Sequence, residues 1–352
     1  MKGGLLLYGA NGYTGRLILE VALRDGLKPT LAGRRRDVIE PLAKAHGLPF
    51  RVFPLDDPRK VAAELAPFRA LLLAAGPFSR TTPVAIEGCL AAGTSYLDIT
   101  GEIDIFERLF ARHGDANAAE IAVLPGTGFD VVPSDCLAAA LAEALPGAER
   151  LELAFRAFKA SAGTTKTMIE GLPRGGLARI DGKLVGVPAA WKTLEVPFPE
   201  GTRLAMSIPW GDLSTAYRST GIRNIETYMA LPASAIAVAR ATRFLAPLLG
   251  LAPVQSLLKN GAAAMRPGPT PEERARERST FWGRVTKGPE TVTGHLESLE
   301  GYTLTAETAV AVARRVLAGE VKPGFWTPSR AFGWRFIESI RDTTLAISKG
   351  ET

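Results

Sequence analysis

Leu5-Leu6-Leu7-Tyr8-Gly9-Ala10-Asn11-Gly12-Tyr13-Thr14-Gly15 decides how this chain is read. The apolar run has strand length and stops at Gly9, and residues 16–24 have the composition of a helix, so the three glycines occupy a strand-to-helix turn. Backbone N–H groups and the positive end of a helix dipole attract an anion at such a turn, and glycine lets a pyrophosphate approach without meeting a Cβ. Gly9 is expected to make the tight turn, Gly12 the close approach and Gly15 the helix-to-strand packing. The spacing, G-x-x-G-x-x-G, is a variant of the commoner G-x-G-x-x-G. Gly9, Ala10, Asn11, Gly12, Tyr13, Thr14 and Gly15 are therefore the expected dinucleotide cradle.

Residues 29–32 read as the second strand, followed by Gly33-Arg34-Arg35-Arg36. An NAD enzyme places an acidic side chain near this point to hold the ribose 2′-hydroxyl; glycine and arginines stand here instead, and a guanidinium grips a 2′-phosphate bidentately. The expected cofactor is NADP(H), held at Gly33, Arg34 and Arg35, with Arg36 a bystander. The alternative for the triplet is a solvated helix entrance. Asp37-Val38-Ile39-Glu40 has the pattern of a capping box opening a helix over 38–46. The third strand begins at Phe50 and ends at Leu55 and Asp56, which are expected beside the adenine. Residues 70–78 form a fully apolar run of the kind a central parallel strand needs, and they carry Ala75, Gly76, Pro77 and Phe78 to the ligand crevice at its carboxyl end. A helix from Pro83, a strand over 95–100, a single helix over 103–120 and a strand over 121–124 complete the alternation, which predicts an α/β fold with a Rossmann-type doubly wound parallel sheet.

With 352 residues the chain has room for two domains, and a composition 46% hydrophobic and 22% charged excludes a disordered protein. Two cysteines and three histidines are too few and too scattered for a zinc cluster, so no metal is expected; the cysteines read as buried and reduced, which favours the cytoplasm. The first strand starts at once, so no leader is expected. The net charge of +6 raises nucleic acid as a partner, but the arginines are dispersed, without a basic stripe interleaved with aromatics, and no nucleic acid is expected. An anionic cofactor and substrate account for the bias. The uncharged stretch 244–258 is too short to span a bilayer and is broken by Pro247, Gly250 and Pro253. It reads as a buried core or dimer contact, or as a surface for peripheral lipid or membrane contact.

Beyond residue 135 the pattern changes. Strand-like runs at 151–158, 184–187, 193–196, 203–208 and 227–231 are separated by Pro and Gly, which predicts a second, inserted α/β (α+β) domain over 136–301 that binds substrate and forms a homodimer. A hairpin is expected over 281–298. The amphipathic helix at 302–317 and the tail, to about residue 348, are expected to return to the first domain, 1–135.

Gly9-Ala10-Asn11-Gly12-Tyr13-Thr14-Gly15, Ala32-Gly33-Arg34, Ala75-Gly76-Pro77-Phe78, the run from Ala92 to Glu102 and Gly128-Phe129-Asp130-Val131-Val132-Pro133-Ser134-Asp135 together resemble the saccharopine dehydrogenase-like oxidoreductases, and most of all the trans-acting enoyl reductase branch. Gly301-Tyr302-Thr303-Leu304-Thr305-Ala306 and Gly324-Phe325-Trp326-Thr327-Pro328 extend the resemblance over most of the chain. It implies a Rossmann domain, an inserted substrate domain, and NADPH-dependent hydride transfer to an unsaturated or imine-like carbon, with an enoyl thioester as one substrate class. Saccharopine chemistry and a non-catalytic NADP(H) sensor or scaffold are the alternatives. Hydride transfer asks the protein for position, electrostatics and a proton donor. Pro77, Phe78, Glu102, Phe129 and Asp130 are expected near the nicotinamide, and Asp130 and Lys166 are the candidate catalytic groups. A helix-start cap is the duller role for Asp130, and an exposed lysine that for Lys166. His295, in a strand-like run, reads as structural.

Overall fold

The computed structural model describes residues 3–156, 161–171, 173, 175–263 and 268–349. The first of its two compact units comprises Met1–Val132 and Tyr302–Ala331. Its sheet holds β1 (Leu5–Tyr8), β2 (Thr30–Gly33), β3 (Phe50–Val52), β4 (Ala70–Leu73), β5 (Ser95–Asp98) and β6 (Ala122–Leu124), with Gly324–Phe325 added beside β6. The spatial order is Gly324–Phe325, β6, β5, β4, β1, β2, β3, and every pair is parallel. The helices α1 (Tyr13–Arg24), α2 (Arg36–Ala45), α3 (Pro58–Leu65) and α4 (Phe78–Ala92) connect the first five strands. β1 and β4 are buried along their whole length, which is why they read as unbroken apolar runs. They are also neighbours, so the direction of winding reverses between them. An open parallel sheet holds its ligand outside the strand ends at that point.

Three local expectations are corrected. The capping box at Asp37 does not form: α2 starts at Arg36, and Arg35 is its N-terminal cap without a side-chain bond. Glu40 turns instead to Lys44, 2.8 Å away, and Arg36, 3.2 Å away, which together hold its carboxyl below the usual range. The helix expected over 103–120 is two, Ile103–Ala111 and His113–Ala118, broken at Arg112. The Arg112 guanidinium is bound there by Glu87 from α4 and by Asp115. The tail is divided: residues through Ala331 belong with the parallel sheet, whereas the chain from Phe332 joins the second unit. There Thr344–Lys349 pairs antiparallel with Glu290–Leu299.

The second unit, Pro133–Gly301 with the chain from Phe332, is a mixed sheet. Its main path runs Thr193–Phe198, Gly201–Ser207, Asn224–Ala230, Arg150–Arg156, Arg278–Lys287, Glu290–Leu299, Thr344–Lys349, with Asn224–Ala230 and Arg150–Arg156 parallel and the other pairs antiparallel. The expected hairpin is present as Arg278–Lys287 and Glu290–Leu299. Gly283 and Gly294 face each other across it, where a Cβ would fall 2.6 Å from Leu141 Cδ1 and 2.9 Å from Leu137 Cδ1 respectively. The paired glycines therefore seat the helix Val132–Ala144 close against the sheet.

Candidate nucleotide-binding site

The opening turn is built by three glycines with three different tasks. Gly9 has φ +88°, a conformation that favours glycine, and its N–H donates to Ala32 O at 2.9 Å; a Cβ on it would lie 2.9 Å from Ala74 C and Ala75 Cβ. Gly15 packs α1 on the turn, since a Cβ there would fall 2.2 Å from Gly9 O. Gly12 is extended, with φ −69° and ψ 165°, and Arg16 N–H donates to its carbonyl at 3.0 Å. The helix thus begins at Tyr13, not at Arg16 as the sequence suggested, and Gly15 lies in its first turn. A Cβ on Gly12 would meet only Gly9 O, at 3.3 Å, and otherwise open space. That is the shape of a cradle that a side chain would obstruct and that, without one, leaves room for a pyrophosphate.

The helix ends at the strand tips are distinguished by their caps. At α3 the Asp57 carboxylate accepts from Arg59 N–H at 2.9 Å. At α4 the Glu102 carboxylate accepts from Phe78 N–H at 2.9 Å and Ser79 N–H at 3.0 Å, closing that helix start with an anion from the protein itself. Glu102, expected near the nicotinamide, forms this cap, with its own N–H given to Thr100 Oγ1 at 3.1 Å. Gly12, the N-cap of α1, has no side chain to close its helix start, and Arg35, the N-cap of α2, makes no side-chain cap bond either. The residues of the glycine turn therefore fit an anionic cofactor.

Gly33 lies at the tip of β2, where a Cβ would strike the Ile39 side chain at 2.9 Å and sit 3.5 Å from Asn11 Oδ1. The turn, Gly33 and Ala75 are thus brought into contact. The neighbouring arginines differ in their engagement. Arg36 bonds Glu40 and stands 5.5 Å over the Phe50 ring, and Arg35 lies 3.9 Å from Asp37. Arg34 is exposed and, among the described residues, has no carboxylate within ion-pair distance. Arg34 and Asp56 both act on the Tyr8 phenol, which burial pushes up to about 12 while Arg34 draws it down and Asp56 raises it. The tips of β1, β2 and β3 are therefore electrostatically one place. Leu55, Ala75 and Phe78 are half-buried and pack on the core of this unit; Gly76 is exposed and joined to Pro77 through a cis peptide.

At the tip of β5 stands a group that sequence reasoning missed. Asp98 is fully buried and accepts from Tyr96 Oη at 2.6 Å, Thr100 N–H at 3.0 Å and Gly126 N–H at 2.8 Å. Its own carbonyl takes Thr127 N–H and Thr127 Oγ1, each at 2.8 Å. Burial pushes the carboxyl up to about 6, against the opposing pull of the three hydrogen bonds. Asp98 ties the loop after β5 to the loop after β6, which carries Asp130.

That second loop is also held by a helix remote in sequence, Gly301–Ala318. Thr305 Oγ1 accepts from Phe129 N–H at 3.0 Å, and Thr308 Oγ1 donates to Thr127 O at 2.7 Å. The same helix grips α1: Glu307 takes Arg24 bidentately, both contacts at 2.7 Å, and the Tyr302 ring meets Tyr13 edge-on at 5.1 Å. Asp130 is partly accessible as a residue, but its carboxyl lies against the backbone of Gly101, where a Cβ would fall 2.6 Å from Oδ2. Burial pushes this carboxyl up to about 7.

No family model matches the chain. It is 31% identical over 189 residues to a Mycobacterium tuberculosis protein that provisionally carries the name trans-acting enoyl reductase, covering 48% of this chain and 44% of that one. It is 30% identical over 139 residues to the trans-acting enoyl reductase of Mycobacterium leprae, covering 37% and 33%. The chain thus matches less than half the length of these curated relatives. Its structure aligns with apo saccharopine dehydrogenase (L-Glu forming) of Saccharomyces cerevisiae at 12% identity and a TM-score of 0.66, over 99% of this chain and 100% of that one. The fold is that of saccharopine dehydrogenase. Sequence relatives and fold agree with the resemblance carried by the motifs.

Within this saccharopine dehydrogenase-like fold, Asp130 belongs to the first unit and Lys166 to the second. Lys166 falls on the helix Ala162–Gly171, but its side chain lies outside the described residues. Asp130 carries a testable pH dependence. A carboxyl that titrates near 7 folded and near 4 unfolded binds a proton more readily in the folded state, so its ionisation destabilises the fold as pH rises between those values. The stability of the native chain relative to Asp130→Asn should therefore fall by about 1 kcal/mol per pH unit from roughly pH 4 to 7 and then level off. Urea denaturation of both proteins across that range checks it. A relative stability independent of pH would mean that the carboxyl is not buried on folding.

Proposed function

We propose that this chain is an NADP(H)-dependent oxidoreductase that reduces an unsaturated or imine-like carbon, with an enoyl thioester as its substrate class. The observation that carries the cofactor assignment is Arg34: an exposed guanidinium at the tip of β2, without a carboxylate partner among the described residues, at the strand end beside which dinucleotide-binding sheets hold the adenosine ribose. The open space around Gly12 at the start of α1 supports the pyrophosphate position. The fold of saccharopine dehydrogenase and the enoyl reductase names of the sequence relatives support the reaction class.

Bound NADPH supplies the hydride. The chain's own residues supply position and a proton. Gly9, Gly12 and Gly15 hold the turn open, Asn11 lies over Gly33, and Ala75 closes the turn from the side of β4. Asp98 and Thr308 fix the loop that carries Asp130, whose raised carboxyl holds a proton near neutral pH and is the candidate donor that balances hydride addition.

Titration of the protein with NADPH and NADH, followed by tryptophan fluorescence, tests the assignment. Arg34→Ala should weaken NADPH by roughly 1.5 to 3 kcal/mol, the range for a lost charge-assisted contact, and leave NADH nearly unchanged. Equal losses for both cofactors would make Arg34 structural. Consumption of NADPH with enoyl thioesters then tests the substrate class, and turnover with saccharopine and NADP alone would replace it.

A further inference from the structure

Five large apolar side chains exposed on the second unit fall within one short segment: Val238, Phe244, Leu248, Leu251 and Leu257, with 51% to 75% of each accessible. The segment comprises the helices Ala233–Thr242, Arg243–Leu245, Ala246–Leu249 and Ala252–Ala263. Its inner side is anchored, with Ile236 buried and Gln255 Nε2 donating to Ile169 O at 2.9 Å and Leu249 O at 2.7 Å. The reading of 244–258 as buried core is therefore wrong for its largest side chains. Phe244 and Leu257, the most exposed, are 75% and 73% accessible.

The charge pattern selects what covers this surface. No Asp or Glu occurs between Glu226 and Glu272, whereas Arg240, Arg243, Lys259 and Arg266 do. The Arg243 guanidinium stands 4.8 Å over the Phe244 ring, apolar face and cation side by side. A second copy of the chain meeting this face across a two-fold axis would bring the same cations against themselves, with no acid from this segment to receive them. A bilayer bearing acidic headgroups answers both features, taking the apolar side chains into its interface and the cations at the phosphate level. No described helix is long and apolar enough to cross a membrane, so the attachment is peripheral.

We infer that the helical face over residues 238–257 docks the protein on anionic lipid surfaces. The inference goes beyond the proposed reductase activity and does not depend on it.

Flotation of the purified full chain with vesicles tests it, using phosphatidylcholine alone and phosphatidylcholine with an equal part of phosphatidylglycerol. The chain should float with the mixed vesicles, much less with phosphatidylcholine alone, and progressively less as sodium chloride is added. Phe244→Ser combined with Leu257→Ser should reduce the bound fraction roughly tenfold or more. Arg243→Glu should weaken mixed-vesicle binding alone. All three positions are exposed, so thermal unfolding and NADPH titration of each variant should match the native chain. Failure of the native chain to float with mixed vesicles overturns the inference, as does equal flotation of the double variant. A native dimer that the double variant converts to monomer, without vesicles present, would assign the face to a second copy and overturn it as well.

Discussion

Gly12→Val should leave a folded protein that no longer binds NADP(H), whereas Gly15→Val should prevent the turn from closing. The two glycines are three residues apart and differ in what a new Cβ meets. At Gly12 it meets one carbonyl oxygen at 3.3 Å and then open space, so the valine branches project into the pyrophosphate approach with little cost to folding. Loss of the pyrophosphate contacts proposed for this turn should lower NADPH affinity by roughly a hundredfold or more. At Gly15 the Cβ falls 2.2 Å from Gly9 O and 2.9 Å from Ala10 Cα, both backbone atoms that no rotamer can move. Relief requires lifting α1 from the sheet, against the Arg24–Glu307 pair and the Tyr13–Tyr302 contact. The destabilisation should be about 3 kcal/mol or more, the upper end for overpacking. Urea denaturation alongside NADPH titration separates the outcomes. If Gly12→Val unfolds as readily as Gly15→Val, or binds NADPH normally, the division of tasks in the turn is wrong.

Asp98→Ala should cost about 3 kcal/mol or more, because it strips the acceptor from Tyr96 Oη and from the amides of Thr100 and Gly126 in a fully buried place, each worth about 1 to 3 kcal/mol when left unpaired. Asp98→Asn keeps one carbonyl oxygen in place, and its amide can donate to Tyr96 Oη, which then turns its own proton to Thr82 Oγ1, 2.9 Å away. Its cost should be about 1 kcal/mol. The comparison asks whether Asp98 acts through hydrogen-bond geometry or through charge. Equal losses in the two variants, measured by denaturation, would show that ionisation, and not the acceptor set, holds the two loops.

The alternation of strands and helices through residue 124 was legible because each element is specified locally. Parallel strands buried on both faces are uniformly apolar, and Gly, Pro or Asp marks most of their ends. Where two local signals competed, the reading slipped. Asp37 and Glu40 matched a capping box, but the pull of Arg36 and Lys44 on Glu40 depends on charges that the box pattern ignores. Asp98 passed unnoticed since a strand-end acid looks the same whether solvated or enclosed. Its three donors come from segments up to 28 residues away.

By itself the sequence determined the glycine turn, the basic tip of the second strand, the parallel sheet and the change of pattern after residue 135, all of which rest on backbone conformation and side-chain periodicity within a few residues. Tertiary structure alone decided that Glu102 closes the start of α4, that Thr305 and Thr308 brace the Asp130 loop, and that Thr344–Lys349 completes the second sheet. It also decided that Phe244 and Leu257 face outward rather than into a core. The physical reason is common to all four. Burial and hydrogen-bond partnership between distant segments are set by what the rest of the chain leaves uncovered or unpaired, and no local window of residues records that remainder.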